Sequence, residues 1–324
     1  MKMLDPKVEY ITAHADIVGI VTSYFPEWEL DGLVQCPFHD DIKASLHISD
    51  TGKAYCHSGS CSASAKDIVT LVAMLEGSTP RKVRDMLYRD IVNAIPESQV
   101  DALHRYLLRD RAALKYLTED RNISLAVLEE FRIGLDPTDR RITVPVVDMF
   151  GSCVNMRRIK WKGSNGVCDE KVINIKGRGE IRLFPEPYIA MERRLLLVEG
   201  ELDCLCARSF NLPSVTWTGG CGNWNHKYEQ LFKAKGVWVR YDTDTAGNNA
   251  MLDVVQHLQQ ITPHVFPVDP PKGVTPAYKD ITDWSLIREH RPWFSELKEE
   301  IELYKFPRRK AKAKICPHCG QEMK

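Results

Sequence analysis

Acidic side chains gather in the second half of the sequence, at or just after the ends of apolar segments. They are Glu199, Asp203, Asp242, Asp244 and Asp280. The apolar run 195–198 and the mostly apolar run 237–241 have the length of buried strands. Parallel strands end at the same sheet edge. We therefore expect these carboxylates to meet there. Neighbouring carboxylates repel one another unless a divalent cation, Mg²⁺ or Mn²⁺, lies between them, and such a cation supports phosphoryl transfer.

The five acids are expected to have different roles. Asp242, Asp244 and Glu199 would bind the metal, and Asp280 would be a further ligand or would support the ligands. Glu199 could instead assist proton transfer. Asp203, one turn into the following helix, could bind the metal or orient Glu199 or a metal-bound water. Taken alone, Asp242-Thr243-Asp244 is equally typical of a solvated turn that caps a helix. The other acids on the same edge favour metal binding.

Soft metal ligands form a second group near the N-terminus. Cys36-Pro37-Phe38-His39 is a tight two-ligand turn, and Cys56 and Cys61 follow a predicted hairpin. A closed set of three thiolates and one imidazole is typical of a structural zinc site, which stabilises a domain with a small core. His57 adjoins Cys56 and could replace it as the ligand, and the spacing of the second pair is longer than usual.

Composition limits the class of protein. The 324 residues allow two or three domains, and 44% hydrophobic and 27% charged residues are ordinary for a soluble chain. Because 44 Lys and Arg balance 44 Asp and Glu, nucleic-acid binding requires local patches; residues 156–182 carry eight basic side chains and three acids. Ten cysteines are too few for a disulfide scaffold. With no signal peptide or membrane span, these features predict a cytoplasmic protein.

The pattern of elements divides the chain into five parts. Residues 1–77 are expected to form a small zinc-ribbon-like domain, and 78–110 a helical linker with a hinge near Pro96. Residues 111–190 contain basic strands and indicate an α+β subdomain. In 191–290 strands alternate with helices, which predicts a mainly parallel α/β sheet. A helix and a basic tail complete the chain in 291–324, and the overall fold class is α/β.

These motifs together resemble a known family. The segment around Cys36-Pro37-Phe38-His39-Asp40-Asp41, with Cys56 and Cys61, is similar to the CHC2-type zinc domain of bacterial-type (DnaG-like) primases. In that family the second pair is usually Cys-x-x-Cys, and here the loop has two extra residues. Residues 116–134 and 141–158 resemble the entry to the primase core and its basic subdomain. Lys171-Val172-Ile173-Asn174 is similar to the family's Lys-Tyr-Leu-Asn segment.

The acidic motifs extend the resemblance to about 280 residues. Glu199-Gly200-Glu201-Leu202-Asp203 and Asp242-Thr243-Asp244-Thr245-Ala246-Gly247 resemble the metal-binding motifs of the Toprim fold, which primases, topoisomerases and some nucleases share. Lys279-Asp280-Ile281-Thr282-Asp283 is similar to the closing motif of the primase version. Each motif alone is weak evidence for the resemblance, but the order in which the motifs occur is specific to the primase family.

The basic segment is expected to hold template phosphates or the incoming triphosphate. The candidate side chains are Arg141, Arg157, Arg158 and Lys171. Because adjacent strand residues point to opposite faces, only one of Arg157 and Arg158 can enter the site, and we predict Arg157. Cys204 and Cys206 are expected to pack within a helix. Trp217 is expected in the core.

The tail contains Cys316-Pro317-His318-Cys319-Gly320, which is half of a zinc knuckle. Cys316 and Cys319 could form a second zinc site completed by His318, by Cys221 or by another chain. A basic tail with free thiols is an equally good interpretation.

The resemblance implies a DNA-directed RNA primase that joins NTPs on a single-stranded DNA template, with structural Zn²⁺ and catalytic Mg²⁺ or Mn²⁺. The zinc domain would read the template and deliver it to the core on the linker. No Gly-x-x-x-x-Gly-Lys-Ser/Thr segment is present, so we expect a separate replicative helicase as partner, as for compact primases of phages and mobile elements. The alternatives are a Toprim nuclease and a catalytically silent protein that binds single-stranded nucleic acid. A topoisomerase would need a longer chain.

Overall fold

The computed structural model describes residues 5–306 except 42, 150, 167 and 221–225, together with the backbone of 314–315 and 322–323. The helices are α1 (Pro6–His14), α2 (Ile17–Tyr24), α3 (Ile68–Leu75), α4 (Pro80–Val92), α5 (Glu97–Arg109), α6 (Arg111–Lys115), α7 (Leu125–Glu130), α8 (Glu186–Met191), α9 (Glu201–Ser209), α10 (Thr245–Gln259), α11 (Ile281–Leu286) and α12 (Arg291–Leu303).

The described strands form four separate sheets. They are β1 (Leu33–Val34), β2 (Leu46–Ile48), β3 (Ala54–Cys56), β4 (Ser64–Ala65), β5 (Gly134–Leu135), β6 (Ile142–Val147), β7 (Cys153–Ile159), β8 (Val172–Ile173), β9 (Leu183–Phe184), β10 (Arg194–Val198), β11 (Ser214–Trp217), β12 (Gly236–Val239), β13 (Val265–Pro267), β14 (Lys314–Ile315) and β15 (Glu322–Met323).

The N-terminal domain is an antiparallel sheet in the order β1-β2-β3-β4, covered by short helices. Carboxylates begin two of these helices: Asp16 accepts the Gly19 N–H at 2.9 Å, and Asp67 accepts the Thr70 N–H at 2.7 Å. Such caps satisfy backbone donors that have no partner inside the helix. Apolar side chains from the sheet and the helices, among them Ile48, meet in one core.

Helix α4 belongs to this domain, although the sequence predicted a linker over 78–110. Val83 and Leu87 are buried in the same core as the N-terminal sheet, and Lys7 on α1 pairs with Asp85 at 3.0 Å. Helix α5 instead packs against β5 and β6 of the next domain. The connection between the two bodies is therefore the short segment 93–96, close to the predicted hinge at Pro96.

The central subdomain is an antiparallel sheet in the order β5-β6-β7-β8. Alternate residues of β7 face opposite sides, and this alternation separates the two neighbouring arginines. Arg158 pairs with Asp136 at 2.9 Å and with Asp139 at 2.8 Å. Arg157 points the other way, toward the third domain.

The third domain contains the predicted parallel sheet, in the order β13-β12-β10-β11-β9. Strands β10, β11, β12 and β13 pair in parallel, and β9 adds an antiparallel edge. Leu195, Leu196, Leu197 and Val198 are all fully buried. A parallel sheet with helices on both faces buries successive residues in this way, which is why the sequence shows continuous apolar runs.

Buried ion pairs hold the N-terminal domain against the rest of the protein. Asp90 on α4 and Arg182, which precedes β9, lie 2.8 Å apart, and both side chains are 5% exposed. Arg182 also lies 3.5 Å from Glu186 on α8. Nearby, the hydroxyl of Tyr24 donates to Glu76 and contacts the sulfur of Met149. The two bodies are thus joined by a largely buried ion-pair cluster and by the partly buried Tyr24 contact.

Arg141 lies in the interior, contrary to the expectation that it binds phosphate. The residue is 1% exposed, and its guanidinium donates to the carbonyls of Cys168 at 2.7 Å and Glu170 at 2.9 Å. The guanidinium also lies 3.4 Å from Asp139. Because these bonds hold the 168–171 segment against β6, we remove Arg141 from the proposed phosphate-binding set.

Arg141→Leu should therefore act on stability. The substitution removes the hydrogen-bond donors of two carbonyls. We expect the free energy of unfolding, measured by urea titration, to fall by about 3 kcal/mol. Arg158→Leu, which breaks partly exposed pairs, should cost no more than about 1 kcal/mol. Unchanged stability with loss of nucleic-acid binding would return Arg141 to the phosphate-binding set.

Candidate metal sites and the acidic cleft

Cys36, His39, Cys56 and Cys61 come together in the N-terminal domain. Their ligand atoms all lie within 4.8 Å of one another. The sulfur atoms of Cys36 and Cys61 are 3.9 Å apart, and the Cys56 sulfur is 3.4 Å from His39 Nε2. A tetrahedral zinc with Zn–S bonds of about 2.3 Å separates its sulfurs by about 3.8 Å. The distances therefore fit one zinc ion.

Hydrogen bonds arrange these ligands before any metal binds. Asp41 accepts the Cys36 N–H at 2.8 Å and the Ser45 hydroxyl at 2.6 Å, and Ser45 lies 3.3 Å from the Cys56 sulfur. Burial raises the pKa of the Cys56 thiol, but hydrogen bonds, first from Ser45, outweigh it and lower the pKa to about 6. Burial raises the pKa of Cys36 to about 12. A second thiolate in this cluster is thus disfavoured until a cation joins it.

The geometry also distinguishes between Cys56 and His57 as the third ligand. Cys56 is buried and lies within the cluster, whereas His57 is exposed. The His57 ring packs instead beside Tyr55, with ring centroids 5.2 Å apart, and beside His47 at 6.3 Å. The structure thus brings Cys56, and not His57, into the cluster.

Cys36→Ser should lower zinc affinity at least about tenfold and loosen the N-terminal core, because one of four ligands is lost. His57→Ala should retain zinc. Zinc released to a colorimetric chelator measures both effects. If His57→Ala lost zinc while Cys56→Ser retained it, the cluster would be assigned wrongly.

The predicted acidic edge forms at the carboxyl end of the parallel sheet. Glu199 follows β10, and its carboxylate accepts the Asp242 N–H at 3.2 Å. Asp244 begins α10 by accepting the Gly247 N–H at 2.9 Å, and Asp280 begins α11 by accepting the Asp283 N–H at 2.7 Å. Asp244 thus caps a helix, as one interpretation of its motif predicted, and also lies on the shared edge.

Burial and mutual repulsion raise the pKa of several of these carboxyls. Burial, and then the charge of Asp280, raises the pKa of Asp203 to about 8, although Asp203 accepts the Thr282 hydroxyl at 2.7 Å. Burial and then Glu199 raise the pKa of Asp242 to about 6. Burial also raises the pKa of Asp280. Carboxylates that are this close repel one another when they are all ionised. A divalent cation bound between them would remove that repulsion, so the arrangement suits such a cation.

Two cations from the chain already face the acids. The ammonium of Lys279 lies 3.1 Å from Asp242 and 3.1 Å from Asp244. Arg121 lines the same cleft and donates to the Tyr116 hydroxyl at 2.8 Å. In this conformation Lys279 takes the place between two carboxylates that a metal would need. Among the described residues, only the N-terminal cluster brings three or more metal ligands within 4.8 Å.

Glu199, Asp203, Asp242 and Asp280 form one wall of a cleft with a volume of about 530 Å³, and the β7–β8 region forms the opposite wall. Asp244 lies outside this cleft and lines a neighbouring cavity with Lys279. Arg157 lies on that wall and pairs with Glu201 at 2.6 Å, and its guanidinium donates to Asn174 at 3.1 Å. Lys171 is exposed at the rim. The cleft therefore presents carboxylates opposite cations, an arrangement suited to a metal-bound polyphosphate.

Some lining residues were missed from the sequence. Arg121, Asn174, Glu201 and Lys279 all line the cleft. Each lies within a segment that resembles the family, so their motifs were the only available signal. Cys204 and Cys206 are buried in α9, and Trp217 is in the core, as expected. Cys316, Cys319 and Cys221 lie outside the described residues.

Divalent-metal affinity should rise with pH between about 6 and 8. The raised pKa values mean that the folded protein holds protons which the unfolded chain, with Asp pKa near 3.8, has already lost. Metal-free stability therefore falls as pH rises from the unfolded value of 3.8 to about 6 for Asp242 and to about 8 for Asp203, and metal binding must displace the protons that remain. We expect about a tenfold gain in Mn²⁺ affinity per pH unit for each proton displaced, measured by calorimetry.

Asp203→Asn should flatten the upper part of this pH profile, whereas Asp253→Asn, on an exposed face of α10, should leave it unchanged. A wild-type affinity independent of pH would contradict the assignment of Asp203 and Asp242 to the metal site.

Comparisons with known proteins agree with this architecture. Residues 196–283, which include all five acids of the acidic edge, match the family model described as Toprim-like. A DNA primase of Aquifex aeolicus is 23% identical over 83% of this chain and 65% of its own length. A DNA primase of Chlamydia trachomatis is 24% identical over 78% of this chain and 53% of its own length. The chain thus spans less than two thirds of these relatives.

Solved structures show the same fold. The zinc-binding and RNA polymerase domains of the Aquifex aeolicus primase superpose with a TM-score of 0.51 at 20% identity, covering 92% of this chain and 85% of that one. The RNA polymerase domain of Mycobacterium tuberculosis primase DnaG gives 0.50 at 16% identity, covering 62% and 80%. The predicted fold class and the resemblance to DnaG-like primases are confirmed. None of the described helices is long and apolar enough to span a membrane.

Proposed function

We propose that this chain is a DNA-directed RNA primase that makes short RNA primers on single-stranded DNA. The observation that carries the proposal is the cleft of about 530 Å³ in which Glu199, Asp203, Asp242 and Asp280 face Arg157 and Lys171. Similarity to two curated DNA primases supports it. The substrates would be NTPs and the template a single strand of DNA.

The chemistry is attack of a 3′-hydroxyl oxygen on the α-phosphorus of an NTP. A new P–O bond forms, the bond between the α- and β-phosphates breaks, and pyrophosphate leaves with that electron pair. Asp242, Asp244 and Glu199 would hold Mg²⁺ or Mn²⁺, and Asp280 would support them. When bound, the metal offsets the charge that develops on the phosphoryl oxygens.

Cations of the chain would position the polyphosphate against the acidic edge. Arg157 is fixed by its 2.6 Å contact with Glu201 and by Asn174, so its guanidinium enters the cleft in one orientation. Lys171 and Arg121 add charge from the other sides. Lys279 would leave the two carboxylates when metal arrives and would then be free to contact a phosphate. Glu199 could instead accept the proton of the 3′-hydroxyl in place of holding the metal.

The N-terminal domain would present the template. Its zinc would fix the fold of a domain with a small sheet, and the Asp90–Arg182 pair would hold that domain beside the cleft. We further propose that the protein acts in the bacterial cytoplasm with a separate replicative helicase, as primases of phages and mobile elements do.

Asp242→Asn should reduce primer synthesis at least about a hundredfold. Mutation of a residue that only supports a metal ligand can already lower activity by about that factor, and Asp242 is a proposed ligand itself. The assay is incorporation of labelled NTPs on single-stranded DNA of mixed sequence with Mg²⁺ and zinc. Binding of single-stranded DNA should be nearly unchanged, and Asp253→Asn, an exposed acid on α10, should behave as wild type.

Other outcomes would redirect the proposal. Degradation of the DNA by the wild-type protein, lost in Asp242→Asn, would indicate a nuclease that uses the same acids. Binding without either reaction would indicate a catalytically silent protein. Loss of binding in Asp242→Asn would give that acid a structural role.

A further inference from the structure

A second polar cavity, here called the junction pocket, lies where the N-terminal domain meets the central sheet. Its volume is about 420 Å³. Arg89 comes from α4, Asn93 from the segment that follows it, and Asn155 from β7. The loop between β8 and β9 contributes Lys176 and Arg178. The pocket therefore exists only while the two bodies are docked.

The junction pocket has an excess of positive charge. Its two acids are already paired: Asp90 with Arg182 at 2.8 Å, and Glu180 with Arg89 at 3.2 Å. Lys176 and Arg178 make no ion pair with any residue that the structure describes. Arg178 donates one weak bond, at 3.4 Å, to the carbonyl of Val154. Two unpaired cations in a polar concavity are the chemistry of a phosphate site.

The junction pocket shares a wall with the acidic cleft. Asn174 lines the cleft, Asn155 lines the pocket, and their side-chain amides are hydrogen-bonded at 2.8 Å. The β8–β9 loop contributes to both cavities, with Gly179 on the cleft side and Arg178 on the pocket side. A ligand that spans this wall could place one end in each cavity.

Synthesis that starts without a primer has such a ligand. The first nucleotide offers its 3′-hydroxyl in the cleft and keeps its own 5′-triphosphate, which takes no part in bond formation and must lie elsewhere. We infer that the junction pocket binds the 5′-triphosphate of the initiating nucleotide, through Lys176 and Arg178. This inference rests on the proposed primase function and adds to it a site for the start of the chain.

The site would link initiation to the position of the zinc domain. Arg89 on α4 forms part of the pocket wall, and α4 shares its core with the zinc-ligand sheet. The 5′-triphosphate would therefore bind well only when that domain is docked. The pocket would be used while the product is a dinucleotide that still spans the shared wall. Once a longer product has carried its 5′ end away from the wall, extension would not need the pocket.

The test compares two otherwise identical dinucleotides as starters for templated extension, one with a 5′-triphosphate and one with a 5′-hydroxyl. The wild-type protein should use the triphosphate form with a higher kcat/KM, by about tenfold or more. The double variant Lys176→Ala, Arg178→Ala should lose that preference while extending the 5′-hydroxyl form at the wild-type rate. Lys298→Ala, a cation on α12, is the matched control and should keep the preference.

Direct binding gives a readout independent of turnover. Fluorescence anisotropy should show the labelled triphosphate dinucleotide binding about tenfold more weakly to the double variant, with the affinity for single-stranded DNA unchanged. Thermal unfolding would verify that both variants fold, as expected for substitutions at partly exposed positions.

The outcomes are distinct. A preference for the triphosphate that survives in the double variant, or its absence in the wild-type protein, would overturn the inference and leave the primase proposal intact. Equal loss with both dinucleotides, together with weaker binding of single-stranded DNA, would assign the pocket to template phosphates and would also overturn it. If the wild-type protein extends neither dinucleotide, the proposed function fails and the inference with it.

Discussion

The repulsion between carboxylates at one edge of a parallel sheet is the constraint on which the rest of this structure depends. Burial and neighbouring charge raise the pKa of Asp203 to about 8 and that of Asp242 to about 6. Such a group of acids is stable only with protons or with cations between its members. Lys279 meets this need from the same edge. Arg157, from the facing sheet, reaches the cleft as a partner of Glu201. The cleft thus carries opposite charges, which suit a metal-bound polyphosphate because the acids would face the metal and the cations would face the phosphates.

The same principle governs the N-terminal domain, where thiols take the place of carboxylates. Crowding and burial raise the pKa of Cys36, while hydrogen bonds led by Ser45 lower that of Cys56. A cation is needed before all the sulfur ligands can ionise, so zinc binding and folding of this small domain are coupled. Because α4 shares the domain's core, the order around the zinc extends to Asp90, and through Arg182 to the sheet that carries the acids. The zinc-ligand cluster and the acidic edge are therefore connected through α4 and the buried Asp90–Arg182 ion pair.

The β8–β9 loop has a central place in this arrangement. On one side Asn174 and Gly179 line the acidic cleft, and on the other Lys176 and Arg178 line the junction pocket. The loop ends at Arg182, which makes the contact with the N-terminal domain. One short segment thus contacts the proposed reaction site, the proposed initiation site and the docking interface. A shift of the N-terminal domain would therefore move residues at the reaction site, the initiation site and the docking interface, because all three include this loop.

The sequence alone determined the features that depend on local order and periodicity. Apolar runs followed by acids predicted the parallel sheet and its acidic edge, and the alternation of side chains along β7 predicted that Arg157 and Arg158 would face opposite ways. Paired Cys and His turns predicted the zinc-ligand cluster. Only the tertiary structure decided which charges are buried and which meet across domains. It placed Arg141 inside, Cys56 rather than His57 in the cluster, and α4 within the N-terminal core. The physical reason is that burial and long-range pairing depend on how distant segments pack, which the local pattern of residue types does not contain.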